Sequence, residues 1–164
     1  MARSLNIKDL VPRKNSPYKQ GYYTLQNLNK YIGDPGKIIY RSAWEKTFCI
    51  FCDLNTQVIA WSSEPIRIPY QHPILNVQKP YNVDFYFKIK KTDNIIKEYI
   101  AEVKPAKKIK KPEMPPGNVT QKRLNGYIAQ MQEYSINMFK FKAAQEWAIQ
   151  RGWEFILITE NFLY

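Results

Sequence analysis

The 164-residue sequence has few of the residues that build disulfide frameworks or transition-metal sites. It contains 2 cysteines and 1 histidine, whereas a closed zinc site takes about four nitrogen or sulfur ligands. Both cysteines lie in the apolar stretch Phe48-Cys49-Ile50-Phe51-Cys52, which favours buried free thiols over a redox pair. His72 is the single histidine of the sequence, so a site that needs two histidines is excluded. Hydrolysis, if this chain performs it, therefore relies on the chemistry of a hard cation or on no metal at all.

Long apolar segments are also missing. The run Phe155-Ile156-Leu157-Ile158 is far shorter than the roughly 20 residues of a membrane-spanning helix. The first fifteen residues, MARSLNIKDLVPRKN, carry charges where a secretion signal needs an apolar core. We therefore expect a soluble intracellular protein that does not engage membranes.

Acidic residues are scarce relative to basic ones. There are 25 Lys and Arg against 14 Asp and Glu, a formal net charge of +11. A charge of this size on a small domain predicts attraction to a polyanion, most often nucleic acid or an anionic membrane surface. Hydrophobic residues reach 45% and aromatic residues 15%, enough for a sizeable core. The composition predicts one basic α/β or α+β domain.

The first part of the chain differs from the rest. Nine basic residues fall within the first 46 positions against three acids, with prolines and glycines between them. We interpret residues 1–37 as a basic N-terminal arm with one short helical piece near Thr24–Tyr31, and residues 38–164 as the folded domain. Such an arm suits contact with a partner protein.

Apolar periodicity predicts the elements of the domain. A helix is expected over 42–53, ended by Asn55, and a long helix, or two, over 120–150. Strands are expected at 58–61, 66–70, 81–90, 95–104 and 153–159, and the lysine- and proline-rich 105–119 is expected to be a loop. In strand 81–90 alternation predicts one apolar and one polar face; the apolar positions are Val83, Phe85, Phe87 and Ile89, and the polar ones Asp84, Tyr86, Lys88 and Lys90.

The hairpin formed by 81–90 and 95–104 brings two acids together. If its loop is Thr92-Asp93-Asn94 with Asn94 left-handed, Asp84 lies directly opposite Glu102. With a loop of about two or four residues the register would shift, and the two acids would lie on opposite faces unless a bulge corrected it. Like charges facing each other destabilise a sheet, and a divalent cation removes that repulsion. Lys104 would then share the face of Glu102, where it can stabilise negative charge that develops on a phosphate. In the alternative interpretation the same side chains, with Lys88, form ordinary solvent-exposed cross-strand ion pairs.

Asp84 followed by Glu102-Val103-Lys104 resembles the D…(D/E)xK pattern of the PD-(D/E)xK nuclease superfamily, although the proline that normally precedes the Asp is absent. A wider set of segments resembles the head completion nucleases of tailed bacteriophages, relatives of TnsA-type transposon endonucleases. These segments are KIIYRSAWE (37–45), WSSEP (61–65), IPY (68–70), EVKP (102–105), Trp147, and GWEF…TE (152–160). The resemblance implies a restriction-endonuclease-like α-β-β-β-α-β core with a mixed sheet flanked by helices.

By the same resemblance, Asp84 and Glu102 are metal ligands, Lys104 is the catalytic lysine, and Glu45 completes the metal shell. The implied cofactor is Mg²⁺, with Mn²⁺ as an alternative. For Glu45 a structural role is equally open, because Ser42-Ala43-Trp44-Glu45 is a capping box in which Glu45 would accept from the Ser42 N–H. Glu64 is expected to be an exposed loop acid, with support of the site as the minority interpretation.

Cations near this motif suit contacts to the phosphates of double-stranded DNA. They are Lys107, Lys108, Lys110, Lys111, Lys122 and Arg123. The resemblance implies a metal-dependent endonuclease that cuts or trims packaged DNA before head–tail joining, in the host cytoplasm during assembly and in the virion. The partners would be portal or head–tail connector proteins reached by the arm. Two alternatives are a non-catalytic basic connector of the same fold, and a TnsA-like transposase or junction-resolving nuclease.

Overall fold

Eight strands and four α-helices make up the described part of the chain, residues 20–163 of a computed structural model. The strands are β1 (Gly21–Tyr22), β2 (Ile39–Tyr40), β3 (Val58–Ser63), β4 (Arg67–His72), β5 (Val77–Asn82), β6 (Phe85–Lys90), β7 (Ile96–Val103) and β8 (Glu154–Ile158). The helices are α1 (Ala43–Leu54), α2 (Ala106–Ile109), α3 (Gln121–Ile149) and α4 (Glu160–Leu163). The expected α/β class and the order α1-β3-β6-β7-α3-β8 are confirmed.

A four-stranded mixed sheet runs β3-β6-β7-β8. Strands β3 and β7 pair antiparallel with β6, and β8 pairs parallel with β7. Helix α1 covers one face, where Phe48 packs on Phe85 and Phe87, and α3 covers the other, where Ala144 and Ala148 pack. Because both faces are covered, Tyr86 is buried, and the predicted polar face of β6 is wrong at that residue.

The strand predicted over 81–90 is interrupted in the structure. Strand β5 ends at Asn82 in a two-stranded hairpin with β4, and β6 begins at Phe85 in the main sheet. Between them the Val83 N–H donates to the Ile66 carbonyl at 3.1 Å. Val83 packs with the cluster under α3, so its predicted place on the Phe85 face is wrong. This break places Asp84 at the entrance of β6.

Sequence signals at the helix ends agree with the structure. Ser42 caps α1 through a bond from the Glu45 N–H, and Asn55 ends it. Helix α3 is one uninterrupted helix of 29 residues, and the loop predicted over 105–119 contains the single turn α2. Within residues 20–163, no helix is both long enough and apolar enough to cross a bilayer.

Residues 20–37, the described part of the predicted arm, pack on the domain. Strand β1 pairs with β2, and a Cβ at Gly21 would lie 2.4 Å from the Tyr40 hydroxyl oxygen, so a larger residue there would displace the end of that side chain. Buried Asp53 at the end of α1 accepts hydrogen bonds from the Tyr23 hydroxyl and the N–H groups of Gln26 and Asn27 at 2.8–3.0 Å. The helical piece predicted near Thr24–Tyr31 is a 3₁₀ turn, Leu28–Lys30. Residues 1–19 of the predicted arm lie outside the described residues.

Candidate active site

The β6–β7 hairpin has the predicted register. Phe85 pairs with Ala101 and Lys90 with Ile96, and one further step along the ladder sets Asp84 opposite Glu102. The Lys91 N–H donates to the Ile95 carbonyl at 2.8 Å, closing a three-residue loop that ends in left-handed Asn94 at φ 62°. The local chemistry of this turn therefore fixes which acids become neighbours.

Asp84 is held against β7 in a desolvated position. Its Oδ2 accepts from the Val103 N–H at 2.8 Å. Burial raises the pKa of Asp84 well above the ordinary aspartate value, and the charges of Glu102 and Glu45 raise it further. The Val103 hydrogen bond and Lys104 act in the opposite direction. Asp84 therefore lies beside two further carboxylates, and Lys104 offsets their negative charge only in part.

Glu102 is buried, and both of its oxygens have partners. Oε1 accepts from Lys104 Nζ at 2.9 Å, and Oε2 accepts from the Tyr81 hydroxyl at 2.7 Å. Burial and the charges of Glu102 and Asp84 raise the pKa of Tyr81, so this phenol remains a donor. The sequence carries no local signal for this role of Tyr81, because its partner is 21 residues away on another strand.

Lys104 lies where the sequence predicts, beside Glu102. Burial opposes its charge, but the attraction and hydrogen bond of Glu102, with the charge of Asp84, outweigh this and raise the pKa of Lys104. The group is therefore cationic at neutral pH. A fixed cation at the end of β7 can stabilise negative charge on a phosphate.

Glu45 takes part in a capping arrangement beside the other acids. Its Oε2 accepts from the Arg41 N–H at 2.7 Å and its Oε1 from the Ser42 hydroxyl at 3.0 Å. The predicted bond from the Ser42 N–H is therefore wrong, because the carboxylate reaches one residue further back. Burial raises the pKa of Glu45, as do the charges of Glu64 and Glu102. Glu45 is thus both a helix cap and a neighbour of the acidic group.

Glu64 supports the backbone of the site, and the expectation of an exposed loop acid is wrong. Its side chain is 15% exposed and pairs with Arg41 through Nε–Oε1 at 2.6 Å and Nη2–Oε2 at 3.1 Å. Its N–H donates to the Asp84 carbonyl at 2.8 Å, and its φ of 46° is unusual for a residue other than glycine. Arg41 and Glu64 together connect the start of α1 to the Asp84 turn.

The donor set suits a hard divalent cation. Among residues 20–163, no three His, Cys, Asp or Glu side chains gather closely enough to hold a metal ion by themselves. Asp84 and Glu102 offer two carboxylates on facing strands, and Mg²⁺ is often held by one or two carboxylates with water and phosphate oxygens completing its shell. The accumulated negative charge at Asp84 is the feature that such an ion would neutralise.

Three of the predicted DNA-contacting lysines line a pocket of about 270 Å³ between α2 and α3. The pocket is lined by Lys107, Lys108, Lys110, Pro112, Gln130, Glu133 and Tyr134. Lys108 pairs with Glu133 at 2.6 Å, so part of its charge is balanced within the protein. The other three candidates, Lys111, Lys122 and Arg123, are exposed beyond this pocket.

The cysteines and the histidine have structural roles. Cys49 and Cys52 are buried free thiols, as predicted. The Nδ1 atom of His72 accepts from the N–H groups of Ile74 and Leu75, which shapes the tip of the β4–β5 hairpin.

Comparison with known proteins agrees with this geometry. Residues 55–160 match the family described as TnsA-like endonuclease N terminal. The chain is 37% identical over 143 residues to a protein of Enterobacteria phage T4 named head completion nuclease, across 87% of this chain and 92% of that protein. A match over most of the domain, with Asp84, Glu102 and Lys104 gathered at one end of a mixed sheet, leads to one conclusion: the chain belongs to the TnsA-like endonuclease family.

Proposed function

We propose that this protein is a Mg²⁺-dependent DNA endonuclease, with Mn²⁺ as an alternative ion, that acts in phage head completion. The observation that carries the proposal is the meeting of Asp84 and Glu102 on facing strands with Lys104 Nζ 2.9 Å from Glu102. A buried acid whose pKa is raised, as that of Asp84 is, is typical of a functional site when further charged groups lie beside it. The T4 relative supplies the biological setting through its name.

Asp84 and Glu102 would hold the metal, with Glu45 at its edge. When bound, Mg²⁺ would polarise the phosphodiester and lower the pKa of a bound water. Lys104 stabilises the negative charge that accumulates on the phosphate in the transition state. Tyr81 keeps Glu102 oriented, while the N–H of Glu64 fixes the backbone of Asp84.

DNA would approach over the lysine-lined pocket and the start of α3. Lys107 and Lys110 line this pocket and would contact the phosphates, and Lys108 would contribute when its bond to Glu133 opens. Lys111, Lys122 and Arg123 extend the positive surface along the duplex. Contacts of this kind give affinity without reading base sequence.

The proposed setting is the infected host cell during assembly, and then the head–tail joint of the virion. The net charge of +11 suits packaged DNA. Residues 1–37 would contact a portal or head–tail connector protein. The non-catalytic connector remains the competing function, because the same basic surface serves both roles.

A plasmid-nicking assay tests the catalytic proposal. The protein should nick supercoiled plasmid in Mg²⁺ or Mn²⁺ and not in EDTA. Lys104→Met should lower the cleavage rate by about 10²–10³, a typical loss when a transition-state charge partner is removed. Lys88→Met is a matched control, since Lys88 pairs with Glu98 on the same hairpin at 3.4 Å, about 13 Å along the strand from Asp84.

The control variant should cut at the parental rate. Three results together would favour the connector function instead. The parent protein would not cut DNA in either metal, particles that lack the protein would fail to mature, and particles that carry Asp84→Asn would mature.

A further inference from the structure

A second lysine lies beside the acids, on α3 rather than on the hairpin. Lys140 Nζ lies 5.6 Å from the centre of the Tyr70 ring and 5.5 Å from that of Tyr81. Within residues 20–163, no carboxylate is within ion-pair distance of it. The two rings belong to β4 and β5, so the lysine lies over one face of that hairpin.

Several contacts link Lys140 to the catalytic acids. The Tyr81 ring beneath it carries the hydroxyl that donates to Glu102. Burial lowers the pKa of Lys140, the charges of Glu102 and Asp84 oppose this change, and Lys104 adds to it. Lys140 is therefore within electrostatic reach of all three residues, and no carboxylate in the described part of the chain accepts a hydrogen bond from its ammonium group.

Asn137 adds a second donor on the same face of α3. It lies one turn before Lys140, the spacing at which helical side chains are neighbours. Its side chain is 4% exposed, and Nδ2 finds no hydrogen-bond partner among the described residues. An unpaired buried amide donor is costly and calls for an explanation, such as a ligand that completes its bonding.

We propose that Lys140 and Asn137 form a binding site for a backbone phosphate of the DNA strand that is cut, next to the phosphate at the metal. The site rests on the proposed nuclease function. Lys104 is already engaged by Glu102, whereas Lys140 is held by aromatic rings that leave its N–H groups available to an anion. A cation and a neutral donor one helical turn apart match the several oxygens of a phosphodiester. Bound there, the phosphate would fix the register of the strand over the acids.

The test measures binding of a labelled DNA duplex in EDTA across a series of salt concentrations, and cleavage in Mg²⁺. Lys140→Met keeps the alkyl stem on the Tyr rings, and Lys140→Arg keeps the charge. Lys142→Met is the matched control, because Lys142 is exposed on the same helix and lies 4.0 Å from Glu146. Asn137→Leu removes the donor at similar volume.

For Lys140→Met, the slope of log affinity against log salt should fall by about 0.9, the amount carried by one phosphate contact. Its kcat/KM should fall about tenfold, as when one charge-assisted hydrogen bond is lost. Lys140→Arg should restore most of the slope, and Lys142→Met should match the parent in cleavage. Asn137→Leu should weaken binding at all salt concentrations with an unchanged slope, because it removes no charge.

The outcomes separate the two proposals. If the parent does not cut DNA but Lys140→Met still lowers the salt slope, the nuclease function fails and the phosphate site stands. If Lys140→Met has the parental slope, the site is wrong whatever the cleavage rate. If Asn137→Leu does not fold, the lysine variants Lys140→Met, Lys140→Arg and Lys142→Met still test whether Lys140 binds a phosphate.

Discussion

Replacing Asp84 by Asn should make the metal-free protein more stable while abolishing cleavage. The substitution keeps the volume and the oxygen that accepts from the Val103 N–H. It removes the charge that Glu102 and Glu45 repel. Like charges that face each other across a β-ladder lower the free energy of unfolding by roughly 1 kcal/mol, so we expect Asp84→Asn to raise it by about that amount at neutral pH. In a domain of this length, such a gain raises Tm by about 2–4 °C.

The pH dependence follows from the direction of the shift. Because the pKa of Asp84 is raised in the folded state, its contribution to stability is complete below the ordinary aspartate pKa and is lost as pH rises through the raised one. The stability difference between Asp84→Asn and the parent should therefore vanish in acid and grow towards neutral pH.

Thermal unfolding in EDTA over a pH series measures this difference, and a second series in Mg²⁺ measures the effect of the ion. Mg²⁺ should raise the Tm of the parent, since it binds the folded state, and leave that of Asp84→Asn nearly unchanged. Glu98→Gln serves as the control, because Glu98 has attractive partners in Lys88 and the Tyr86 hydroxyl and should not gain stability. An Asp84→Asn variant that is less stable than the parent at neutral pH, or that still cuts DNA, would refute the reasoning.

Three further substitutions test the supporting residues. Tyr81→Phe should lower the cleavage rate about tenfold in a plasmid assay, since Glu102 loses an orienting bond, and a parental rate would argue against that role. Arg41→Ala should lower cleavage by more than it lowers DNA affinity in a binding titration, because it frees Glu64 and loosens the Asp84 turn; equal losses would contradict this. Asp53→Ala should reduce the free energy of unfolding by about 2–4 kcal/mol in urea and expose residues 20–37 to protease, because three hydrogen bonds lose their acceptor; unchanged proteolysis would count against the anchor.

Local chemistry made much of the fold predictable. The Ser42 cap and Asn55 stop define α1, and the three-residue loop ending in Asn94 sets the register that faces Asp84 with Glu102. Each signal operates within a few residues, so the sequence carries it directly. The break at Val83 was missed, because apolar alternation continues across it and only pairing with two different sheets reveals it.

The sequence by itself determined the basic charge, the core order of elements and the two facing acids with Lys104. Only the tertiary structure decided which distant side chains surround them. The Tyr81–Glu102 and Arg41–Glu64 pairs join residues more than 20 positions apart, and the position of Lys140 depends on how α3 packs on the β4–β5 hairpin. Turns and caps form from neighbouring residues, whereas these contacts exist only once sheet and helices have packed together.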